Sequence, residues 1–320
     1  MQKFFVAALF FFTFYVAMAQ GNYAGPVGSS SSIAVYKDSS IIHSWARECM
    51  LDRGYMNILD TGLGKTSIGS AEMATGKAMS KGVVSLGDGG IATLTFEGVI
   101  FDGPGPDFAV FENGFGDVFL ELAFVEVSSD GINFFRFPAI SDIDTSTQIA
   151  SYGTLNTSFI HNLAGKYPIG YGTPFDLSEL SNITGVDIQN ITHVRIIDVI
   201  GSLNDSIASR DSRGVKVNDP FPTPWPNGGF DLDAVAAFYI KPTGLKKEAI
   251  DKLNIYPNPV TSELRFEEGK EYEFKLFDLS GKLQKIGKGN RVQMADLADG
   301  FYILNLFIGD EIHSIKISKR

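Results

Sequence analysis

The sequence predicts an all-β protein whose main domain is a jelly-roll β-sandwich. Polar and apolar residues alternate in short runs, as at residues 91–96, and Gly- and Pro-rich loops separate the runs. Helical patterns are sparse: short helices are predicted at residues 44–51 and 71–80, and a single turn at 176–180. No repeat of fixed length is present in the sequence, which disfavours a propeller or a solenoid.

The strands of the main domain follow from this alternation. Residues 108–111 are apolar at every position, as expected of a central strand that is buried on both faces. Residues 119–127 predict a long strand, and the Asp-Gly pair at 130–131 predicts a hairpin to the next β-prone run. Two further strands are predicted at 193–199 and 230–238, the second with apolar residues at every other position.

The N-terminus has the features of a secretory signal peptide. Lys3 precedes an almost unbroken apolar run at residues 4–16, and an Ala-Met-Ala motif that fits a cleavage site follows. Residues 1–19 are therefore expected to be removed by cleavage between Ala19 and Gln20. The apolar run is shorter than the ~20 residues that span a bilayer, so no permanent membrane span is expected.

Composition narrows the classes of partner. The net charge of −10 disfavours nucleic acids as ligands, because no basic excess can replace the counterions of a phosphate backbone. An acidic surface suits divalent cations and a secreted protein. Cys49 is the single cysteine, so no internal disulfide can form, and a small buried hydrophobe is favoured over a nucleophile.

The pattern divides the chain into two folded units. The β-sandwich domain is predicted at residues 20–240, and a polar Pro- and Gly-containing linker follows at 241–252. Residues 253–320 contain period-two stretches, such as 272–276, that are separated by Gly-containing turns. This segment is predicted to form a small antiparallel β-sandwich of the immunoglobulin-like type.

Four motifs in the C-terminal segment carry a resemblance. They lie in order at residues 253–260 (LNIYPNPV), 275–282 (KLFDLSGK), 297–304 (LADGFYIL) and 315–320 (IKISKR). Together they resemble the type A C-terminal sorting domain of the type IX secretion system. The resemblance implies a Bacteroidota source, Sec export, and the secretion machinery and its sortase as partners. The alternative is an ordinary terminal β module for adhesion or spacing.

The main domain resembles the galactose-binding-like jelly rolls. The resemblance rests on the hairpin at 127–134, the strand at 192–198 and the closing strand at 230–235. Residues 85–90 and 102–113 also look like an uncharacterised family of bacterial cell surface proteins, over about residues 44–238. Membership of either group says little about activity, because lectins, enzyme accessories and adhesion modules share the fold.

Acidic residues give the main candidate site. Asp102 and Asp107 bracket a Gly-Pro-Gly-Pro turn, and Asp231 and Asp233 are two apart, which predicts that both leave the same face of the last strand. The candidate ligands of a calcium ion are Asp102, Asp107, Glu112, Asn113, Asp231 and Asp233. Calcium takes six to eight oxygen ligands in loose geometry. The resemblance to galactose-binding-like jelly rolls, some of which carry calcium at the closing strand, implies Asp233 in particular.

Other interpretations of these acids stay open. They could cap loops or accept backbone hydrogen bonds, or two of them could form the carboxylate pair of a glycosidase. No Gly-x-Ser-x-Gly, His-Glu-x-x-His or Cys-x-x-Cys motif is present in the sequence, so no catalytic residue is assigned and a non-catalytic role is favoured.

A Pro-rich loop supplies the candidate ligand surface. Residues 219–229 carry Phe221 and Trp225, and the loop is expected to hold both rings near Asp102 and Asp107. Flat aromatic rings on rigid loops suit a glycan ligand, although they could equally seal the open end of the sandwich. The sequence thus predicts a calcium-stabilised surface or secreted binding module. The alternatives are an exported polysaccharide hydrolase and a purely structural or adhesive surface protein.

Overall fold

The computed structural model describes residues 22–116, 118–242, 255–266, 271–308 and 311–320. The predicted signal peptide, its cleavage position between Ala19 and Gln20, and all but the first two residues of the predicted linker lie outside these ranges. The chain divides into one compact unit that ends at Tyr239 and a second that begins at Ile240 and also takes in Glu97–Val99. No helix among the described residues is long and apolar enough to cross a membrane.

The first unit is all-β. Its strands are β1 Val35–Tyr36, β2 Ser44–Trp45, β3 Glu48–Asp52, β4 Val84–Ser85, β5 Ile91–Ile100, β6 Phe108–Glu112, β7 Ala123–Ser128, β8 Phe135–Arg136, β9 Ile140–Ser141, β10 Ile160–His161, β11 Leu163–Ala164, β12 Tyr171–Phe175, β13 Ile191–Asp198 and β14 Asp231–Ala237. Four 3₁₀ helices lie at Thr61–Leu63, Ala71–Ala74, Thr157–Phe159 and Leu177–Leu180. The predicted all-β class is confirmed.

Two antiparallel sheets make the sandwich. The first has the order β1-β12-β6-β14-β2, with β4 also paired to β14. The second has the order β11-β7-β13-β5, with β3 on β5, β8 on β7, and a short strand β15 (Ile240–Pro242) beyond β5. Strands β9 and β10 pair separately.

Aromatic rings fill the space between the two sheets. Phe137, which follows β8 of the second sheet, packs against Phe108 and Phe175 of the first, with ring centroids 5.8 and 5.1 Å away. All three side chains are almost fully buried. Burying each ring removes a large apolar area from water, worth about 1.5–3 kcal/mol per side chain.

The central strands of the first sheet are buried on both faces, as the apolar run at 108–111 predicts. On the face away from the Phe108 ring, Ala109 and Phe111 of β6 pack with Ala234 and Ala236 of β14. The ring of Trp45 covers Phe111 at a centroid distance of 5.3 Å.

Two local helix predictions were wrong in whole or in part, whereas the predicted hairpin and helical turn were confirmed. Residues 44–51 form β2 and most of β3 rather than a helix, because β3 pairs along its whole length with β5. The helix predicted at 71–80 is limited to Ala71–Ala74, since Gly76 adopts a φ of 81° that ends the turn. The hairpin predicted at 130–131 forms, because β7 pairs with β8 on either side of it. In its loop, one carboxylate oxygen of Asp130 accepts hydrogen bonds from the N–H groups of Ile132 and Asn133, both at 2.8 Å. The turn predicted at 176–180 forms at Leu177–Leu180.

The second unit is a small β-sandwich, as predicted. Its strands are β16 Glu263–Arg265, β17 Tyr272–Asp278, β18 Leu283–Gly289, β19 Arg291–Gln293, β20 Gly300–Ile308 and β21 Glu311–Lys319. One sheet has the order β18-β17-β20-β21 and the other pairs β16 with β19. Both sheets contribute to one buried core, for example Leu264 and Val292 from the pair and Leu276, Leu304 and Ile317 from the larger sheet.

Candidate functional site

A pocket opens where β6 ends and β14 begins. It has a volume of about 330 Å³ and we call it the acidic pocket, because Glu112, Glu121 and Asp231 line it. Four aromatic side chains share the lining: Phe115, Phe119, Tyr152 and Trp225. Its size lies at the lower end of the ~300–1,000 Å³ range of small-molecule sites in proteins.

The carboxyl groups of the acidic pocket are strongly desolvated. Glu112 is 3% exposed, and its Oε2 accepts no hydrogen bond from any described residue. Burial, and then the proximity of Asp231, raises the pKa of Glu112 well above its ordinary value. The pKa of Glu121 is also raised well above its ordinary value, first by burial and then by Glu112.

Asp231 is the third carboxylate of the pocket. Its Oδ1 accepts a hydrogen bond from the Ser85 hydroxyl on the neighbouring strand β4. Burial raises its pKa, and hydrogen bonds from Ser85 and Asn113 oppose that shift. Asn113 also lines the pocket, so three of the predicted ligand residues meet here: Glu112, Asn113 and Asp231.

One wall of the acidic pocket is aromatic. The Tyr152 ring lies 5.2 Å from that of Trp225 and 6.2 Å from that of Phe119, measured between centroids. Tyr152 is 73% exposed and Trp225 is half-buried, so their faces are accessible from solvent. Trp225 therefore lies with Glu112 and Asp231, and not with Asp102 and Asp107 as the sequence predicted.

Phe221, the other predicted ligand-binding residue, lies outside the lining of the acidic pocket. It is 6% exposed and is not among the side chains that line the acidic pocket. Its backbone N–H donates to the carbonyl of Ile149 at 3.1 Å. Phe221 thus anchors the Pro-rich loop. Its buried position fits the alternative that this ring seals the open end of the sandwich.

The six predicted metal ligands do not converge on one coordination sphere. Asp107 precedes β6 and Glu112 ends it, so the strand separates them by roughly 16 Å. Asp233 lies at a β-bulge between Leu232 and Ala234, and both of its carboxylate oxygens accept from the N–H of Met79, at 3.0 and 2.9 Å. Asp231 and Asp233 therefore have separate partners, and a bulge interrupts the regular alternation of the strand between them and the next residues.

A second acidic group lies at the other end of β6. Asp102, Asp107 and Asp176 each place one carboxylate oxygen within 4.8 Å of the others. Asp107 is fully buried and accepts from the N–H groups of Gly103 and Leu177, both at 2.7 Å. Burial raises its pKa to about 6. The Oδ1 of Asp102 is buried and accepts no hydrogen bond within the part of the chain that the structure describes.

Sequence reasoning placed Asp176 only as the first residue of a helical turn. Its Oδ1 accepts from the N–H of Ser178 at 2.9 Å, so it does cap that turn. A calcium ion with Ca–O distances of 2.3–2.6 Å separates its ligands by up to about 5 Å, and the 4.8 Å span of this group fits that ion. Asp102, Asp107 and Asp176 are therefore the residues that could hold a calcium ion.

Two buried aspartates hold the acidic pocket in place, and neither was predicted. Asp198 accepts from the N–H of Phe230 at 2.7 Å, directly before Asp231. Asp219 accepts from the N–H of Leu122 at 3.1 Å, directly after Glu121. Burial raises the pKa of both aspartates well above the ordinary value. They position the backbone at two of the three pocket carboxylates.

Fold and site define this chain as an all-β protein with a ligand-sized acidic pocket and a separate C-terminal β unit. The model of the secretion system C-terminal sorting domain matches residues 254–320, which confirms the resemblance found in the four motifs. The protein is therefore exported by the type IX secretion system to the cell surface or the extracellular space. No curated protein matches the chain.

Solved structures of a β-glucuronidase from Ruminococcus gnavus share a distant likeness. The complex with C6-substituted uronic isofagomine is 12% identical, with 93% of this chain and 47% of that chain covered and a TM-score of 0.22. The complex with N1-substituted uronic isofagomine is 13% identical, with 88% and 46% covered and a TM-score of 0.20. The chain spans about half the length of these structures, and a likeness at this TM-score carries no argument about activity.

Proposed function

We propose that the protein acts outside the cell as a non-catalytic binding module whose acidic pocket takes a glycan. The observation that carries the proposal is the aromatic wall of Phe119, Tyr152 and Trp225 beside three desolvated carboxyl groups. Export by the secretion tail brings the pocket to a compartment where extracellular polysaccharides are present.

The pocket supplies both kinds of contact that a sugar needs. The apolar face of a pyranose ring stacks on Tyr152 or Trp225, and rigid rings lose little side-chain entropy on binding. Hydroxyl groups of the sugar donate to carboxyl oxygens. The unpartnered Oε2 of Glu112 costs about 1–3 kcal/mol in the empty protein, and a donated hydrogen bond from the ligand recovers that free energy.

A polysaccharide hydrolase is the second candidate, because the same pocket holds more than one carboxyl group. Glycoside hydrolysis needs one protonated and one ionised carboxyl group, with environments that push their pKa values apart. Here burial raises the pKa of Glu112, Glu121 and Asp231 alike. The shift has the same direction for all three groups, and none of these lining carboxyl groups has its pKa lowered, which favours binding over hydrolysis.

The proposal also includes a structural calcium ion. It would lie at the opposite end of β6 from the acidic pocket. Asp102, Asp107 and Asp176 supply three carboxylate oxygens, the kind of hard ligand that calcium takes, and the Gly-Pro loop at 103–106 joins the first two. The ion would tie this loop to the start of the 3₁₀ helix at Leu177. Its role would be to stabilise the fold and not to contact the glycan.

A glycan array with the mature chain tests the binding function. Glu112→Gln should weaken any saccharide that binds, whereas Glu72→Gln, at an exposed position on the 3₁₀ helix Ala71–Ala74, should not. Failure of every saccharide to bind would support a purely structural or adhesive role. Turnover of a polysaccharide panel that is lost in both Glu112→Gln and Glu121→Gln would establish the hydrolase instead.

A further inference from the structure

We propose that the acidic pocket selects a saccharide with a free, positively charged amino group. This inference rests on the proposed glycan-binding function and names the class of ligand. The inference predicts that uronic acids do not bind, because their carboxylates would be repelled by the carboxylates of the pocket.

The residues with charged side chains that line the pocket are all acidic. Among the described residues that line it, three are acidic and none is lysine, arginine or histidine. The strongest charge effects on Glu112 come from Asp231 and Asp219, and those on Glu121 come from Glu112 and Asp231. A buried group of like charges is unfavourable until a cation joins it.

One carboxylate oxygen is ready to accept a donor. Glu112 is 97% buried, its Oε2 has no partner among the described residues, and it lies in the pocket lining. Gly114 keeps the space beside that oxygen open, because a Cβ at this position would lie 2.7 Å from Oε2. An ammonium group carries three donors and can satisfy this oxygen and a second carboxylate together.

The spacing of the acids favours an organic cation over a bare metal ion. Within the described ranges, the one group of three acids with oxygens inside 4.8 Å is Asp102, Asp107 and Asp176, so the pocket carboxylates are spread more widely. The aromatic wall adds a surface that a metal ion does not need. Tyr152 and Trp225 can stack on the sugar ring and attract its ammonium group through their π faces.

Calorimetric titration of the mature chain with matched saccharides tests the inference. The probes are glucosamine and galactosamine oligosaccharides and the same oligosaccharides after N-acetylation, which removes the charge and keeps the ring. The free amines should bind at least about tenfold more tightly, with an affinity that falls as salt increases. Glu121→Gln should reduce this preference, Glu121→Asp should retain most of it, and Glu72→Gln should leave it unchanged.

The outcomes separate the two proposals. Equal or tighter binding of the N-acetylated probes overturns the amino-sugar inference and leaves glycan binding in place. If neither probe binds but other saccharides bind on the array, the amino-sugar inference is likewise overturned and glycan binding remains. Absence of binding to every saccharide overturns both. Retention of the free-amine preference in Glu121→Gln and Glu112→Gln would also contradict the inference, because the carboxylates would then not be its source.

Discussion

The Tyr152 ring lies 5.2 Å from the Trp225 ring although the two residues belong to different loops. The loops are tied together by hydrogen bonds: the Ser151 hydroxyl donates to the carbonyl of Pro222 at 2.6 Å, and the Phe221 N–H donates to that of Ile149 at 3.1 Å. The aromatic wall is therefore held in place before a ligand arrives. Such pre-organisation lowers the entropy cost of binding.

Removal of the Trp225 ring should weaken glycan binding. Trp225→Ala is expected to lower the affinity by about tenfold or more, because a stacked aromatic contact contributes on the order of 1 kcal/mol beyond its buried area. Isothermal titration measures the loss. Tyr36→Ala is the matched control, since Tyr36 is 45% exposed and packs on Tyr171 away from the pocket. Unchanged affinity in Trp225→Ala would show that the ring does not touch the ligand.

Calcium should raise the melting temperature of the mature protein, and EDTA should lower it. Calcium at about 100 times its dissociation constant stabilises by about 2.7 kcal/mol, which corresponds to a shift on the order of 5–10 °C for a domain of this size. Asp102→Asn should abolish the calcium dependence, because it removes one of the three clustered carboxylates. Asp60→Asn, at an exposed residue with no capping hydrogen bond, should behave as wild type. Identical melting curves in calcium and in EDTA would rule the ion out.

The stability of the sandwich should depend on the protonation of Asp88. This side chain is 5% exposed, its Oδ2 accepts from the N–H of Ile58 at 2.8 Å, and burial raises its pKa to about 6. The folded state therefore binds a proton that the unfolded chain has already lost above about pH 4. Its contribution to the free energy of unfolding is present in full below that pH and is lost as the pH rises to about 6, by roughly 3 kcal/mol.

Urea unfolding of wild type and Asp88→Asn isolates this contribution from other titrating groups. The free energy of unfolding of wild type minus that of the variant should fall between about pH 4 and pH 6 and then level off. Asn keeps an acceptor for Ile58, so the variant is expected to fold. A difference that is constant or rises over this range would contradict the assignment.

Deletion of residues 254–320 should prevent release from the periplasm. The matched sorting domain is then absent, and the β-sandwich would stay in the periplasm, on the inner side of the outer membrane. Protease treatment of whole cells, with the full-length chain as control, distinguishes the two locations. Digestion of the truncated chain at the cell surface would show that export does not depend on this segment.

Local patterns in the sequence predicted the fold class and several of the longer strands of the main domain, but not its many two-residue strands. Alternation and apolar runs depend on a residue's immediate neighbours, so β6, β13 and β14 were found where the pattern placed them. Residues 44–51 were assigned to a helix because the pairing of β2 with β14 and of β3 with β5 depends on distant segments. Tertiary contact of this kind overrides local preference.

The site was predictable only in part, for a similar reason. Glu112, Asn113, Asp231 and Trp225 were named from the sequence and do meet in one pocket. Their separation from Asp102 and Asp107 follows from the length of β6, and the bulge at Asp233 is set by the partner strand. Glu121 was missed because the sequence placed it inside a strand predicted at 119–127, whereas β7 begins only at Ala123 and Glu121 lies in the irregular segment before it.

The C-terminal unit has a core of its own, with Val260 and Ile317 near its two ends and Leu276 and Leu304 between them. A core of this kind should let the unit fold without help from whatever precedes it. The tail is then a transferable module, and an unrelated cargo fused to its N-terminal end needs no complementary surface to be carried across the outer membrane.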